Sequence, residues 1–174
     1  MRGIILILVA CFTLTISCKS DQDAVSKLKR VPKEVVYNFD LVEVNEGVRI
    51  WRLNASRAVN YNDTVHIYDV KLWFYNENGK EDAYLTADSG FVFFGARKNE
   101  NNLIAMGSVK VTTHDTINLM TQLLMWDDSK KKIIAPEEVT IKKGNRVLHG
   151  RNFISNPDLT EMKLYEVFGE TQER

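Results

Sequence analysis

The sequence predicts an all-β domain behind a short export or anchor segment, and three observations carry this prediction. From Val35 onward, apolar and polar residues alternate with a period of two, as in Val48–Leu53 and Val139–Lys142. These runs are rich in the β-branched and aromatic residues that suit a half-buried pleated surface. Clusters of turn-forming residues separate the runs, and no amphipathic helix longer than two turns is recognisable in residues 35–170.

The composition of the 174-residue chain is that of one folded domain, or one domain with a tail. Lys and Arg number 23, as do Asp and Glu, so the positive surplus typical of nucleic-acid binding is missing and no nucleic-acid partner is expected. Two cysteines and three histidines leave little room for a structural zinc site. No G-x-S-x-G-type elbow is present. We therefore expect no catalytic residues, no metal and no cofactor, although an exported hydrolase is a third function class to weigh.

The N-terminus has the features of a bacterial signal peptide. After Arg2, the stretch Gly3–Cys18 carries no charge and is shorter than the ~20 residues of a comfortable transmembrane helix. Its end, Leu14–Cys18, resembles a lipobox, with Thr15 where Leu is usual. We predict a signal peptide over 1–17 and a lipidated Cys18. The alternative is a short uncleaved membrane anchor in which Cys18 is an ordinary residue.

The rest of the chain divides by composition. Residues 18–34 are predicted to be a polar tether that starts at the lipidated cysteine, residues 35–170 the β domain, and residues 171–174 a polar tail. Either form of the N-terminus exports the domain from the cytoplasm.

A repeat of about 30 residues runs through the domain. Each unit begins near a small or short residue and closes on a valine; the opening residues are Ala55, Ala87, Thr121 and Gly150, and the valines are Val70, Val109, Val139 and Val167. A two-stranded unit cannot bury its apolar face alone, but stacked units can. The repeat therefore favours an elongated β-jellyroll or flattened sheet stack with open edges, over chance alternation in an ordinary sandwich.

Several segments together resemble a known family. They are Leu85–Ala87, Gly107–Val109, Met125–Asp127, Pro136–Ile141, Leu148–Gly150 and Leu164–Gly169. Over roughly residues 35–170 this pattern is similar to the LptC family of periplasmic lipopolysaccharide-export proteins. The better-known members begin with a full transmembrane helix, whereas this chain has a lipobox-like cysteine.

The resemblance implies a slightly twisted β-jellyroll at the periplasmic face of the inner membrane, held there by a lipid or a helix. It implies that the protein receives lipopolysaccharide from an inner-membrane ABC transporter and passes it to a periplasmic jellyroll partner. It also implies that the chain is not an enzyme. The other function class is a structural or adaptor lipoprotein that binds a protein partner and no lipid.

Lipid transfer needs an apolar path, because exposing a 12-carbon acyl chain to water costs on the order of 10 kcal/mol. The strand phase supplies inward-facing candidates for such a groove in every unit: Val70, Leu72, Phe74, Val109, Val111, Leu124, Trp126, Val139, Ile141 and Phe153. The alternative for each of them is plain core packing. The alternation does not decide whether the two sheets pack closely against each other or leave an open groove between them.

The last strand is expected to be an uncovered edge that docks a partner. No further unit follows it, and its residues alternate as a strand should. The edge comprises Lys163, Leu164, Tyr165, Glu166, Val167 and Phe168. Two other polar groups are predicted to be turn features: Asp127 and Asp128, and the run Lys130–Lys132. The alternative for the lysine run is contact with anionic head groups or phosphates.

Overall fold

A computed structural model describes residues 32–61, 64–93 and 103–172 of the chain. The chain divides into two units, Met1–Arg30 and Val31–Arg174, and the described residues all belong to the second. The predicted signal or anchor segment, Cys18 and the tether up to residue 31 lie outside the described residues.

The described residues form β-strands joined by turns, which confirms the predicted all-β class. Alternating burial marks most strands; in β3, for example, the even-numbered residues from Val70 to Phe74 are buried and their neighbours are not. The strands are β1 Glu34–Asn45, β2 Val48–Asn60, β3 Thr64–Tyr75, β4 Glu81–Phe93, β5 Leu103–Thr113, β6 Asn118–Asp127, β7 Lys132–Ala135, β8 Val139–Lys143, β9 Arg146–Ser155 and β10 Lys163–Gln172.

All of these strands belong to one antiparallel sheet in which sequence neighbours are spatial neighbours. The short strands β7 and β8 share one place, since both lie between β6 and β9. Among the described residues, the sheet ends at β1 on one side and at β10 on the other, which confirms the predicted open edge strands.

The last strand is longer than predicted. It continues past Phe168 to Gln172, and Glu170 and Thr171 pair with Leu148 and Val147 of β9. The sequence alternation ends at Gly169, but ladder hydrogen bonds need only backbone groups on a partner strand, and β9 extends far enough to supply them. The predicted boundaries at 168 and 170 are therefore too early.

The repeat corresponds to one row of residues across the sheet. The opening residue of each unit faces the closing valine of the unit before it: Ala87 faces Val70, Thr121 faces Val109, and Gly150 faces Val139. Thr121 fits this row because it is buried and its hydroxyl donates to the carbonyl of Glu138 at 2.9 Å. A hydroxyl is thus accommodated where the other units have Ala or Gly.

A line of ladder interruptions runs beside this row, and we call it the crease. Residues at this level have no ladder partner on the neighbouring strand, and several have positive φ: Asn38 at 53°, Asp69 at 53°, Gly107 at 74°, Ser108 at 44° and Asn152 at 55°. Asn, Asp and Gly tolerate this backbone conformation better than other residues do. In β5 the interruption includes extra residues, as in a β-bulge.

The sheet bends at the crease, so that its two halves pack face to face. Phe74 pairs with Trp51 and Ala83 at one end of the sheet, whereas Trp126 pairs with Leu103 at the other end. If the sheet were flat, the row of paired residues that contains Trp126 would lie about 30 Å from the row that contains Phe74, measured along β3. Their ring centroids are nevertheless 5.2 Å apart, which only a folded sheet allows.

We call the two halves leaves. The hairpin leaf contains the β1–β2, β3–β4 and β5–β6 turns, and the tether leaf contains Pro32 and the β6–β7 and β9–β10 turns. One continuous cluster of buried apolar side chains fills the space between them. The result agrees with the predicted elongated jellyroll, built from strands that each cross from one leaf to the other.

Candidate lipid interior and docking edges

The ten sequence-predicted groove residues all lie in the core between the leaves. Each is buried, and the most exposed of them, Ile141, shows 6% of its surface to solvent. They come from β3, β5, β6, β8 and β9, so stacking does bring these units together along one interior. In this structure the leaves are closed on one another.

One cavity reaches the core from the side, where the free ends of the two leaves meet. It has a volume of about 640 Å³, and we call it the mouth. Its apolar lining comes from Val48, Ile50, Phe74, Trp126 and Pro157. Phe74 and Trp126 are thus the two groove candidates that reach from the core to this opening.

The rim of the mouth is acidic. Its ionisable residues are Glu46, Glu77, Asp82, Asp158 and Lys131, four carboxylates against one ammonium. The Lys131 ammonium lies 5.9 Å from the centroid of the Trp126 ring. The indole N–H of Trp126 is buried and has no hydrogen-bond acceptor among the described residues.

The β6–β7 turn beside the mouth is held by Asp127, in agreement with its predicted role as a turn former. One carboxylate oxygen accepts hydrogen bonds from the Ser129 hydroxyl at 2.6 Å and the Lys130 backbone N–H at 3.1 Å, and the other accepts from Lys130 Nζ at 2.6 Å. Burial tends to raise the pKa of Asp127, but these hydrogen bonds and the Lys130 charge outweigh it and lower the pKa. Lys131 and Lys132 are also ion-paired, with Asp128 and Glu161.

Glu43 of β1 lies near the same turn. Burial raises its pKa first, and the nearby charge of Asp128 adds to this, while Lys131 opposes it. Carboxylates from both leaves therefore lie close together along this side of the domain.

The predicted docking strand β10 is an edge with an apolar outer surface. Tyr165, Val167 and Phe168 expose 67%, 57% and 56% of their surface, while Leu164 packs against the core. Tyr165 also lies at the crease, opposite Asn152, where the ladder between β9 and β10 is interrupted. Its neighbours on either side are paired with Phe153 and Arg151.

The opposite edge strand, β1, was not singled out from the sequence. It exposes Val35, Tyr37, Val42 and Val44. A signal for it existed, because its exposed apolar residues belong to an alternating run, and among the described residues this strand pairs only with β2. Both edges of the sheet are therefore candidates for strand addition.

The three histidines lie on different parts of the sheet. His66 Nδ1 is 3.0 Å from the Tyr68 hydroxyl, His149 Nδ1 is 3.0 Å from the Thr140 hydroxyl, and His114 is exposed beside Asp115. Burial, and then the charge of Arg57, lower the pKa of His66. In the part of the chain that the structure describes, no His, Cys, Asp and Glu side chains are grouped to hold a metal ion.

The same ranges also lack any helix that could cross a membrane.

Comparison with known proteins identifies the family. No curated protein matches the chain, but the family model described as "Lipopolysaccharide-assembly, LptC-related" matches residues 3–170. This match spans nearly the whole chain, and it agrees with the all-β fold. Members of the family act in lipopolysaccharide transport and are associated with the periplasmic side of the inner membrane. The chain therefore belongs to the LptC-related family of lipopolysaccharide-assembly proteins.

Proposed function

We propose that this protein is a membrane-tethered bridge component that receives lipopolysaccharide from an inner-membrane ABC transporter and passes it to a periplasmic jellyroll partner. The observation that carries the proposal is the continuous apolar core between two leaves, with a mouth at its side and a free edge at each end. An acyl chain gains about 0.8 kcal/mol per buried methylene, so such an interior suits the lipid portion.

In this proposal the ten groove residues line the lipid path after the leaves part. Phe74 and Trp126 come first, because they line the mouth and their rings contact each other there. The free indole N–H of Trp126 is a donor that a lipid ester or amide carbonyl could accept from. Phe153 lies deeper, fully buried in the core.

The edge Lys163–Phe168 docks the periplasmic partner by strand addition. About five added hydrogen bonds at ~0.5–1.5 kcal/mol each give a few kcal/mol, which suits a reversible joint. The exposed Tyr165, Val167 and Phe168 add apolar contact area.

The anchor in this proposal is a diacylated Cys18. One acyl chain gives only marginal membrane binding, whereas two are enough for stable attachment. The uncleaved anchor is the alternative, and either form keeps the domain at the periplasmic face of the inner membrane.

Photo-crosslinking in cells tests the lipid path. A photoreactive amino acid is placed in turn at Phe74, Trp126 and Phe153, and lipopolysaccharide adducts are sought. Lys143, exposed at the β8–β9 turn, is a suitable control; Lys131 is not, since it lines the mouth. We expect adducts at the interior positions and none at the control. Adducts at Lys143 with none at the three interior positions would refute the path.

The closed interior favours one alternative, an adaptor that binds a protein partner and no lipid. Every groove candidate is already packed against other side chains. Binding of lipopolysaccharide to the purified protein distinguishes the two functions, and co-purification with an ABC transporter tests the first directly.

A further inference from the structure

A strip of Arg, Lys and aromatic side chains begins at the mouth and continues on the outer surface of the hairpin leaf. We call it the outer strip; its residues are Arg49, Arg52, Lys71, Trp73, Tyr75 and Tyr84. Lys71 and Trp73 alternate with the buried Val70, Leu72 and Phe74, so their side chains point away from the core. Lys71 and Trp73 therefore lie outside the packing between the leaves.

The aromatic rings of the strip are paired with guanidinium groups. The Arg49 guanidinium lies 5.0 Å from the Tyr75 ring centroid, and that of Arg52 lies 5.8 Å from the Trp73 ring centroid. Trp73 in turn contacts Tyr84, with 5.1 Å between centroids. This arrangement holds long, flexible cations close to flat apolar surfaces.

The cations of the strip are only partly neutralised. Arg52 donates through Nε and Nη2 to Asp40, at 3.1 and 2.6 Å, which leaves its Nη1 outside that pair. Among the described residues, Arg49 and Lys71 have no carboxylate within ion-pair distance. Asp40 is thus the one acid in direct contact with a cation of the strip in that part of the chain.

The strip contrasts with the mouth that it adjoins. Tyr75 belongs to both, because it lines the mouth and carries Arg49 over its ring. The mouth rim has four carboxylates against one lysine. An anionic group next to the mouth is therefore repelled by the rim and attracted toward Arg49 and Arg52.

We propose that the outer strip binds the phosphorylated saccharide head group of a lipid whose acyl chains enter the mouth. Sugar rings stack on Trp73 and Tyr84, and phosphates contact Arg49, Arg52 and Lys71. Arg suits phosphate because its planar fork of N–H donors matches the phosphate oxygens. The inference rests on the proposed function, since it takes the saccharide to be that of the transported lipid.

The test uses the full-length protein in detergent micelles and an acyl-free glucosamine disaccharide bisphosphate as the probe. The chain has three tryptophans, and Trp51 and Trp126 are buried at 8% and 3% exposure, so acrylamide quenching reports mainly on Trp73. The probe should protect this fluorescence. Calorimetry should show affinity weakened about tenfold or more by Arg49→Glu and by Lys71→Glu, the loss expected for a charge-assisted hydrogen bond. Lys143→Glu is the matched control and should change it little.

Two further probes separate saccharide recognition from simpler binding. Inorganic phosphate and the unphosphorylated disaccharide should each bind far more weakly than the bisphosphate. The proposal is overturned if either binds as well, if Trp73 is not protected, or if Lys143→Glu weakens binding as much as Arg49→Glu. The photo-crosslinking at positions 74 and 126 is scored separately. If no lipopolysaccharide adduct forms at Phe74 or Trp126 while the strip residues are unchanged, this counts against the proposed function, whereas the calorimetry tests the strip alone.

Discussion

The rings of Phe74 and Trp126 lie 5.2 Å apart at an interplanar angle of 54°, although the two residues belong to opposite ends of the sheet. This contact joins the free end of one leaf to that of the other. It also lines the mouth, so any opening of the interior from this side must separate these two rings.

We expect the two rings to be energetically coupled. Phe74→Leu and Trp126→Leu should each lower the free energy of unfolding by about 2–4 kcal/mol, as large-to-small core changes do. Because the rings contact each other, the double variant should lose less than the sum, by about 0.5–1.5 kcal/mol. Denaturant unfolding of the four proteins measures this difference. Strict additivity would mean that the contact does not hold the leaves together.

Gly150 should be irreplaceable for a packing reason. A methyl group there would collide with the carbonyl oxygen of Glu166 and lie 2.5 Å from Leu164 Cδ2. Gly150→Ala should therefore destabilise the domain by several kcal/mol and loosen β10 from β9. Gly169→Ala is the matched control on β10, since its nearest neighbour, the His149 ring, is 3.5 Å away. Hydrogen exchange of the β10 amides with thermal melting checks both; equal behaviour of the two variants would contradict the prediction.

Asp127 should give the domain an acid-sensitive component of stability. Its pKa is lowered in the folded state, so its contribution is present above pH 3.8 and is lost as the pH falls through the folded pKa. Asp127→Asn should cost about 1–2 kcal/mol at neutral pH, the value of hydrogen bonds to a charged group. The difference in the free energy of unfolding between wild type and Asp127→Asn should become smaller below pH 3.8.

Urea unfolding at a series of pH values measures this difference. Asp128→Asn serves as the control, because Asp128 has a more exposed ion pair with Lys131 and should matter by less than about 1 kcal/mol. A difference that stays constant down to pH 2 would exclude Asp127 as its source.

Proline at two neighbouring positions of β10 should have different effects. Leu164 pairs with Phe153 and packs on the core, so Leu164→Pro should lower the melting temperature of the domain. Tyr165 is exposed and unpaired at the crease, so Tyr165→Pro should leave melting nearly unchanged and weaken docking of a jellyroll partner. Pull-down and thermal melting are run on both. If both variants melt and bind like wild type, this strand is not the joint.

Cys18→Ala should block signal cleavage and lipidation. The small residue before the cysteine and the polar segment after it motivate this expectation. Metabolic labelling with a clickable fatty acid is the measurement, and wild type should be labelled. Label that persists in the variant would rule out lipidation at Cys18, while unlabelled wild type would favour the uncleaved anchor.

Strand phase was the strongest signal in this sequence. In β3, alternation alone predicts that Val70, Leu72 and Phe74 point inward, and all three are buried. Alternation predicts burial correctly there because each strand of a two-leaf domain has one face toward solvent and one face toward the core. The repeat was also readable, since residues facing each other across the ladder share one space and are matched in size.

The alternation of apolar and polar residues does not predict the bend of the sheet. It depends on backbone conformations at Asp69, Ser108 and Asn152, and these are ordinary polar residues in any turn-rich sequence. The mouth was missed for a related reason: Phe74 and Trp126 are 52 positions apart and meet only after the sheet folds. Whether the leaves close depends on packing between them, which period-two alternation does not encode.

The crease has a mechanical consequence. Ladder hydrogen bonds stiffen each leaf, but the crease interrupts the ladders of successive strand pairs at one level of the sheet. The domain should thus bend more easily about the crease than within either leaf. Separation of the leaves would then break few backbone hydrogen bonds. The resistance to opening would come from side-chain contacts such as that between Phe74 and Trp126. Substitutions that trim those contacts would lower the force needed to open the domain, while the strands on either side kept their register.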